Sequence, residues 1–210
     1  EYARSAPVTS KAGKPYKIGV LLGLTGTGSY IGKDMVTAVE MVFENVNKRG
    51  GINGHPIEWV TYDNGGDHTQ AILNTKKLAT DKDILAIVGH DNSGVAVAAL
   101  ATTNNEKIPT IDACSTDDII APVTKWMFKA NTKQEDQAGP MLQYGKEQGW
   151  KRVAIFAQQV GPSPRGSVIS KNLAPKFGLE VVTFETGNSG DIDFRPQLTK
   201  IKAAKADGII

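Results

Sequence analysis

The sequence predicts an α/β architecture with mainly parallel sheets in two consecutive units, on three observations. Short β-prone runs alternate with amphipathic helical stretches from Tyr16 to Ile210, and such alternation builds parallel sheets with helices on both faces. The alternation halts in a polar passage at residues 131–139 and restarts at Arg152. In the first half, the apolar runs 84–88 and 108–111 each give way abruptly to small polar residues, Asp91-Asn92-Ser93-Gly94 and Ser115-Thr116-Asp117.

Residues 1–14 are polar and read as an irregular N-terminal segment, with no charged region followed by an apolar one as in a signal peptide. Either none existed or it has been removed. Residues 16–24 read as a buried strand, followed by a small-residue turn into a helix. Met35, Val39, Val42 and Val46 recur at helical spacing on one face, and Lys48-Arg49-Gly50-Gly51 closes the helix. Residues 56–63 alternate as a second strand. Asp67 caps the next helix, with Gln70 completing a capping box and Ile72, Leu78 and the stem of Lys76 inward. Residues 84–88, 108–111 and 126–130 supply three more strands. Residues 15–129 then form a first lobe and 130–210 a second. In the second, strands at 152–156 and 179–184 flank a Gly/Pro-rich turn and a helix to Phe177. A loop and helix over 191–204 follow, with Phe194, Leu198 and Ile201 inward. Residues 207–210 begin a further strand, so the second lobe and its return strands are expected to be truncated.

Composition narrows the function. With 24 basic and 22 acidic residues the formal charge is +2, and the cations are scattered, so the footprint of nucleic-acid binding is missing. No apolar run approaches the roughly 20 residues of a membrane-spanning helix. Cys114 is the only cysteine, which excludes an internal disulfide and a CxxC motif. The glycine-rich turn at residues 23–28 lacks GxGxxG spacing, and Gly32-Lys33-Asp34 is not a P-loop. His55, His68 and His90 are too dispersed for a metal site, so neither metal nor cofactor is assigned. His90 lies near Ser93, but no GxSxG elbow and no third group complete a nucleophilic site; His90 reads as a structural, hydrogen-bonded residue. Cys114 likewise reads as a small buried residue.

The two polar turns carry the ligand chemistry. If their strands are parallel and adjacent, both turns emerge at one carboxyl edge, where open α/β sheets bind ligands. Ser93, Ser115 and Thr116, with backbone N–H groups at two helix N-termini, suit a carboxylate or another small anion. Asp117 and Asp118 read as first-turn acids complementing a helix dipole.

Taken together, KIGVLLGLTGTGSYIGKD, NVNKRGGINGHPIEWVTYDN, DHTQAILNTKKL, AIVGHDNSG and GDIDFRPQLTKIKAAKADGII resemble the periplasmic solute-binding proteins of type I fold serving branched-chain amino-acid ABC transporters. The resemblance implies two Rossmann-like lobes closing on a small ligand, no catalysis and no cofactor. It further implies an ABC permease as partner and a periplasmic or extracellular location, free or lipid-anchored. It places the first-lobe ligand shell on Tyr30, Asp91, Asn92, Ser93, Cys114, Ser115 and Thr116. Ser93 and Thr116 would hold a carboxylate, and the Cys114 carbonyl and Thr116 hydroxyl would face an amino group. Second-lobe contacts would come from the turn at 158–166, with Gln159 and Ser163 as candidates. There the family often has a tyrosine-glycine pair and this chain has Ser163-Pro164.

The function expected is therefore a solute receptor for a small carboxylate-bearing ligand: an amino acid, an amide or an aromatic acid. A ligand-sensing domain on the same fold is the alternative, and an α/β enzyme the third reading. An unpaired Asp91 carboxylate in the pocket would disfavour leucine, isoleucine and valine. If Asp91 instead faces solvent and caps the following helix, that preference disappears.

Overall fold

The computed structural model describes residues 2–4, 13–26, 28–159, 165–188 and 190–210. It contains two compact units, Glu1–Asn131 and Thr132–Ile210.

In the first unit, strand β1 is Tyr2–Arg4, β2 Tyr16–Leu22, β3 Ile57–Asp63, β4 Ile84–Val88, β5 Thr110–Asp112 and β6 Met127–Lys129. They form one sheet in the order β1-β3-β2-β4-β5-β6. Strands β2 to β6 are parallel, with β2 at the centre between β3 and β4. Strand β1 pairs antiparallel with β3, Tyr2 opposite Thr61 and Arg4 opposite Trp59. This corrects the irregular reading at those three residues: the pairing is offered by the outer edge of β3, about 55 residues away in sequence, and leaves no local pattern.

Three helices cover this sheet: α1 Ser29–Lys48, α2 His68–Thr80 and α3 Ser93–Glu106. Side-chain alternation along β2 divides the core. Val20 and Leu22 pack with Ile57 and Trp59 under Met35, Val36, Val39, Phe43 and Val46 of α1. Leu21 packs with Leu78 of α2, Ile84, Ile87 and Ile108. On α1 the inward stripe takes Phe43 rather than the expected Val42, which is 59% exposed; steps of four from Met35 through Val39 lead to residue 43. On α2 the buried face is Ala71, Thr75 and Leu78, and Ile72 turns outward. Thr75 is held inward because its hydroxyl has a buried partner in His90. The Asp67 carboxylate accepts from the Gln70 amide at 2.8 Å, as expected of the cap. The N–H of Asp67 donates to the Asn64 carbonyl, so the cap is not a reciprocal box.

In the second unit, α4 Gln134–Glu147, β7 Arg152–Gln159, α5 Arg165–Leu173, β8 Glu180–Asn188, α6 Arg195–Ala203 and β9 Gly208–Ile209 follow in order. A 3-10 turn at Ala174–Phe177 follows α5. The sheet is parallel, in the order β8-β7-β9. Leu142, Val153, Ala174 and Leu179 form its core. Ile201 is the buried residue of α6, and Leu198 is half exposed rather than inward.

Candidate functional site at the carboxyl edge of the first sheet

From β2 the chain runs to β3 on one side, then crosses to β4 on the other. The winding therefore reverses between β2 and β4, and in open α/β sheets the crevice outside the strand ends at such a point takes the ligand. The turns flanking it are joined by acidic side chains. Asp91, after β4, accepts from the Gly23 amide after β2 at 3.0 Å. The turn is tight there: a Cβ on Gly23 would stand 3.1 Å from the Asp91 carboxylate and 3.3 Å from the Asn64 amide oxygen. Asp63, at the end of β3, accepts from the Leu24 and Gly65 amides, both at 2.7 Å, and from the Thr25 hydroxyl at 2.6 Å. Burial opposes ionisation of Asp63. The Thr25 hydroxyl and the amides of Gly65, Leu24 and Thr25 outweigh it and hold the carboxyl below its ordinary value.

Behind the crevice lies a fully buried pair. The His90 ring meets Asp112 Oδ2 through Nδ1 at 3.0 Å and Thr75 Oγ1 through Nε2 at 3.2 Å. With both nitrogens engaged, His90 has none left to activate Ser93, and the structural reading of this histidine holds. The Ala113 amide donates to the His90 carbonyl, which ties the turn after β5 to the turn after β4.

That tie brings the two polar turns together, with the Ser93 and Ser115 hydroxyl oxygens 3.5 Å apart. Asn92 is the N-cap of α3, and its side-chain oxygen accepts from the Gly94 and Val95 amides. Asp91 therefore does not cap this helix, and its carboxylate has a partner in the Gly23 amide. Tyr30, in the first turn of α1, is 70% exposed.

The turn after β5 differs from expectation in one respect. No helix starts there: residues 117–120 make a single turn, with the Ile120 amide on the Asp117 carbonyl. Pro122 follows too soon for a longer helix, since it lacks an N–H and constrains the residue before it. What holds this turn instead is Lys129, from the end of β6. Its ammonium donates to the Ser115 carbonyl at 2.8 Å and to Asp117 Oδ1 at 2.7 Å. The side chains of this ion pair are 2% and 11% exposed. Sequence reasoning overlooked Lys129; the available signal was a lone cation ending an apolar strand.

Thr116 is 6% exposed and its hydroxyl donates to Asp118 Oδ2 at 3.1 Å, while the Asp118 amide donates back at 3.2 Å. The expectation that this hydroxyl donates to a carboxylate thus meets a competitor two residues away. Burial above all, then the charge and hydrogen-bond acceptance of Asp112, push the Cys114 thiol far up; the Thr116 amide facing the sulfur and Lys129 pull the other way and lose. No thiolate is available, which fits the structural reading of Cys114.

Of the second-lobe candidates, Gln159 is the last residue of β7, paired through its backbone with Asn188. Ser163 lies outside the described residues. Among the described residues no group of His, Cys, Asp and Glu could hold a metal ion, and no helix is long and apolar enough to cross a membrane.

A doubly wound parallel sheet with polar turns gathered at its carboxyl edge defines a class of small-ligand-binding α/β folds. A family model described as periplasmic binding protein matches residues 15–210, and the chain belongs to that family. A leucine-, isoleucine-, valine-, threonine-, and alanine-binding protein of Pseudomonas aeruginosa is 28% identical over 201 residues, 93% of this chain and 52% of its own. The substrate binding protein LivJ of a branched-chain amino acid transporter of Streptococcus pneumoniae, in complex with isoleucine, superposes with a TM-score of 0.81. It is 27% identical, over 93% of this chain and 56% of that one. A type 1 periplasmic binding protein of Bordetella pertussis Tohama I gives a TM-score of 0.84 at 26% identity, over 93% and 55%. The chain spans about half the length of the curated relatives it matches.

Proposed function

We propose that this chain binds the ligand of an extracytoplasmic solute receptor serving an ABC importer, and that the ligand is a small carboxylate-bearing molecule of the amino-acid class. The observation that carries the proposal is the meeting of the Ser93 and Ser115 hydroxyls, 3.5 Å apart, at the switch point of the first sheet. Two hydroxyls beside the first turn of α3 supply donors suited to a carboxylate. The Cys114 carbonyl, in the same turn, supplies an acceptor for an amino group. The amino-acid class is supported by the amino acids for which the Pseudomonas aeruginosa relative is named and by the isoleucine bound to the Streptococcus pneumoniae one. A binding role without catalysis is supported by the engagement of both His90 nitrogens and by the raised Cys114 thiol. Membership of the family supports a periplasmic or extracellular location and a membrane permease as partner.

Calorimetric titration with aliphatic amino acids, polar amino acids, amides and hydroxybenzoates tests the reading. One class should bind, and Ser93→Ala and Ser115→Ala should each weaken it. Binding that both variants leave unchanged would overturn the assignment.

A further inference from the structure

We propose that Asp118 is a positioning residue that fixes the direction of the Thr116 hydroxyl and so makes that hydroxyl a pure acceptor toward the ligand. The inference rests on the amino-acid reading above and names a residue to which that reading gives no role.

A threonine hydroxyl has one proton and two lone pairs. The proton is given to Asp118 Oδ2 and one lone pair receives the Asp118 amide. Asp118 thus engages the same oxygen twice, as carboxylate and as amide, in a loop closed within three residues, the kind of local side-chain bond that hydroxyl residues form in turns. The hydroxyl proton is thus directed at the protein, and one lone pair of the hydroxyl remains. A ligand N–H can use that lone pair. A carboxylate oxygen placed there would face oxygen lone pairs with no proton between.

The turn is poorly able to rearrange. Lys129 anchors it from β6 through the Ser115 carbonyl and Asp117, and Thr116 is almost fully buried. Residues 115 and 116 thereby differ in sign toward a ligand: the exposed Ser115 hydroxyl donates beside Ser93, and the Thr116 hydroxyl accepts. Asp118 makes an α-amino acid bind in one orientation and penalises the same skeleton without its amine.

The test compares L-leucine with 4-methylpentanoate, which lacks the amine, by calorimetry on the full chain. The wild type should prefer L-leucine. Asp118→Ala releases the hydroxyl proton and should cut that preference about tenfold, the worth of one hydrogen bond to a charged group. Thr116→Val should abolish the contribution, and Asp118→Ala should then have no further effect. An equal change for both probes in Asp118→Ala, or an effect persisting in the Thr116→Val background, would overturn the proposal. If neither probe binds the wild type, the amino-acid reading fails for this skeleton. The orientation of Thr116 is decided without ligand: its hydroxyl proton should give a slowly exchanging NMR signal that Asp118→Ala removes. A signal unchanged in that variant overturns the proposal.

Discussion

Ser93 and Ser115 approach each other from turns 22 residues apart, and each hydroxyl is proposed to donate to the ligand carboxylate. Such a bond contributes about 1.5–3 kcal/mol, so Ser93→Ala should weaken binding by roughly ten- to a hundredfold. Asn92, not Ser93, caps α3, so the melting temperature of Ser93→Ala should stay near wild type. Asp63 acts on stability rather than binding. Folding lowers its pKa, so the unfolded chain takes up the proton more readily. Its contribution is complete above the ordinary carboxylate value of about 4 and is lost as pH falls through the lower, folded value. Urea denaturation at pH 7 and pH 3 should show this acid loss diminished in Asp63→Asn, with lower stability at pH 7. An unchanged acid-side slope would count against the role given to Asp63.

At the scale of elements, α1 and β6 position the site by different means. The close approach of α1 to the turn after β2 depends on Gly32, whose added Cβ would stand 2.0 Å from the Gly23 carbonyl oxygen. Gly32→Ala should therefore cost about 1–3 kcal/mol, as overpacking does, despite alanine's higher helix propensity. Chemical denaturation showing the variant more stable than wild type would refute this contact. From β6, Lys129 pairs with Asp117 in a nearly dry environment. Removing one partner of a buried pair costs about 3–5 kcal/mol, because the other charge is left without compensation. Lys129→Met should show that loss, and Lys129→Met with Asp117→Asn should recover part of it. The same denaturation measurements decide this, and additive losses in the double variant would argue against coupling.

For the whole molecule, a division near residues 129–132 is our proposal for the lobe boundary. It predicts that Leu142→Ala, at the centre of the second core, costs about 2–5 kcal/mol. Amide exchange should then accelerate throughout residues 132–210 while β2 and β4 stay protected. Acceleration spread evenly over both units would refute the division. Apart from β1 and the helix expected after β5, the order of strands and helices in both units was legible in the sequence, because periodicity of two or 3.6 follows from burying one face of a local element. The polar turns after residues 88 and 112 were legible for the same reason: an apolar run ended abruptly in residues that cap and turn. The Thr116-x-Asp118 pattern was legible too, as a local hydroxyl-carboxylate motif, though dipole complementarity hid it. Lys129 under Ser115, Asp91 on Gly23, Asp63 on Leu24 and His90 between Thr75 and Asp112 were decided only by tertiary structure. Each joins turns of different strands, and which strand ends become neighbours depends on strand order, which no single segment of the sequence encodes. The sequence by itself determined which residues could serve a ligand at this edge. Folding decided which of their protons are left to offer one, because a donor committed to a neighbouring turn is withdrawn from the crevice.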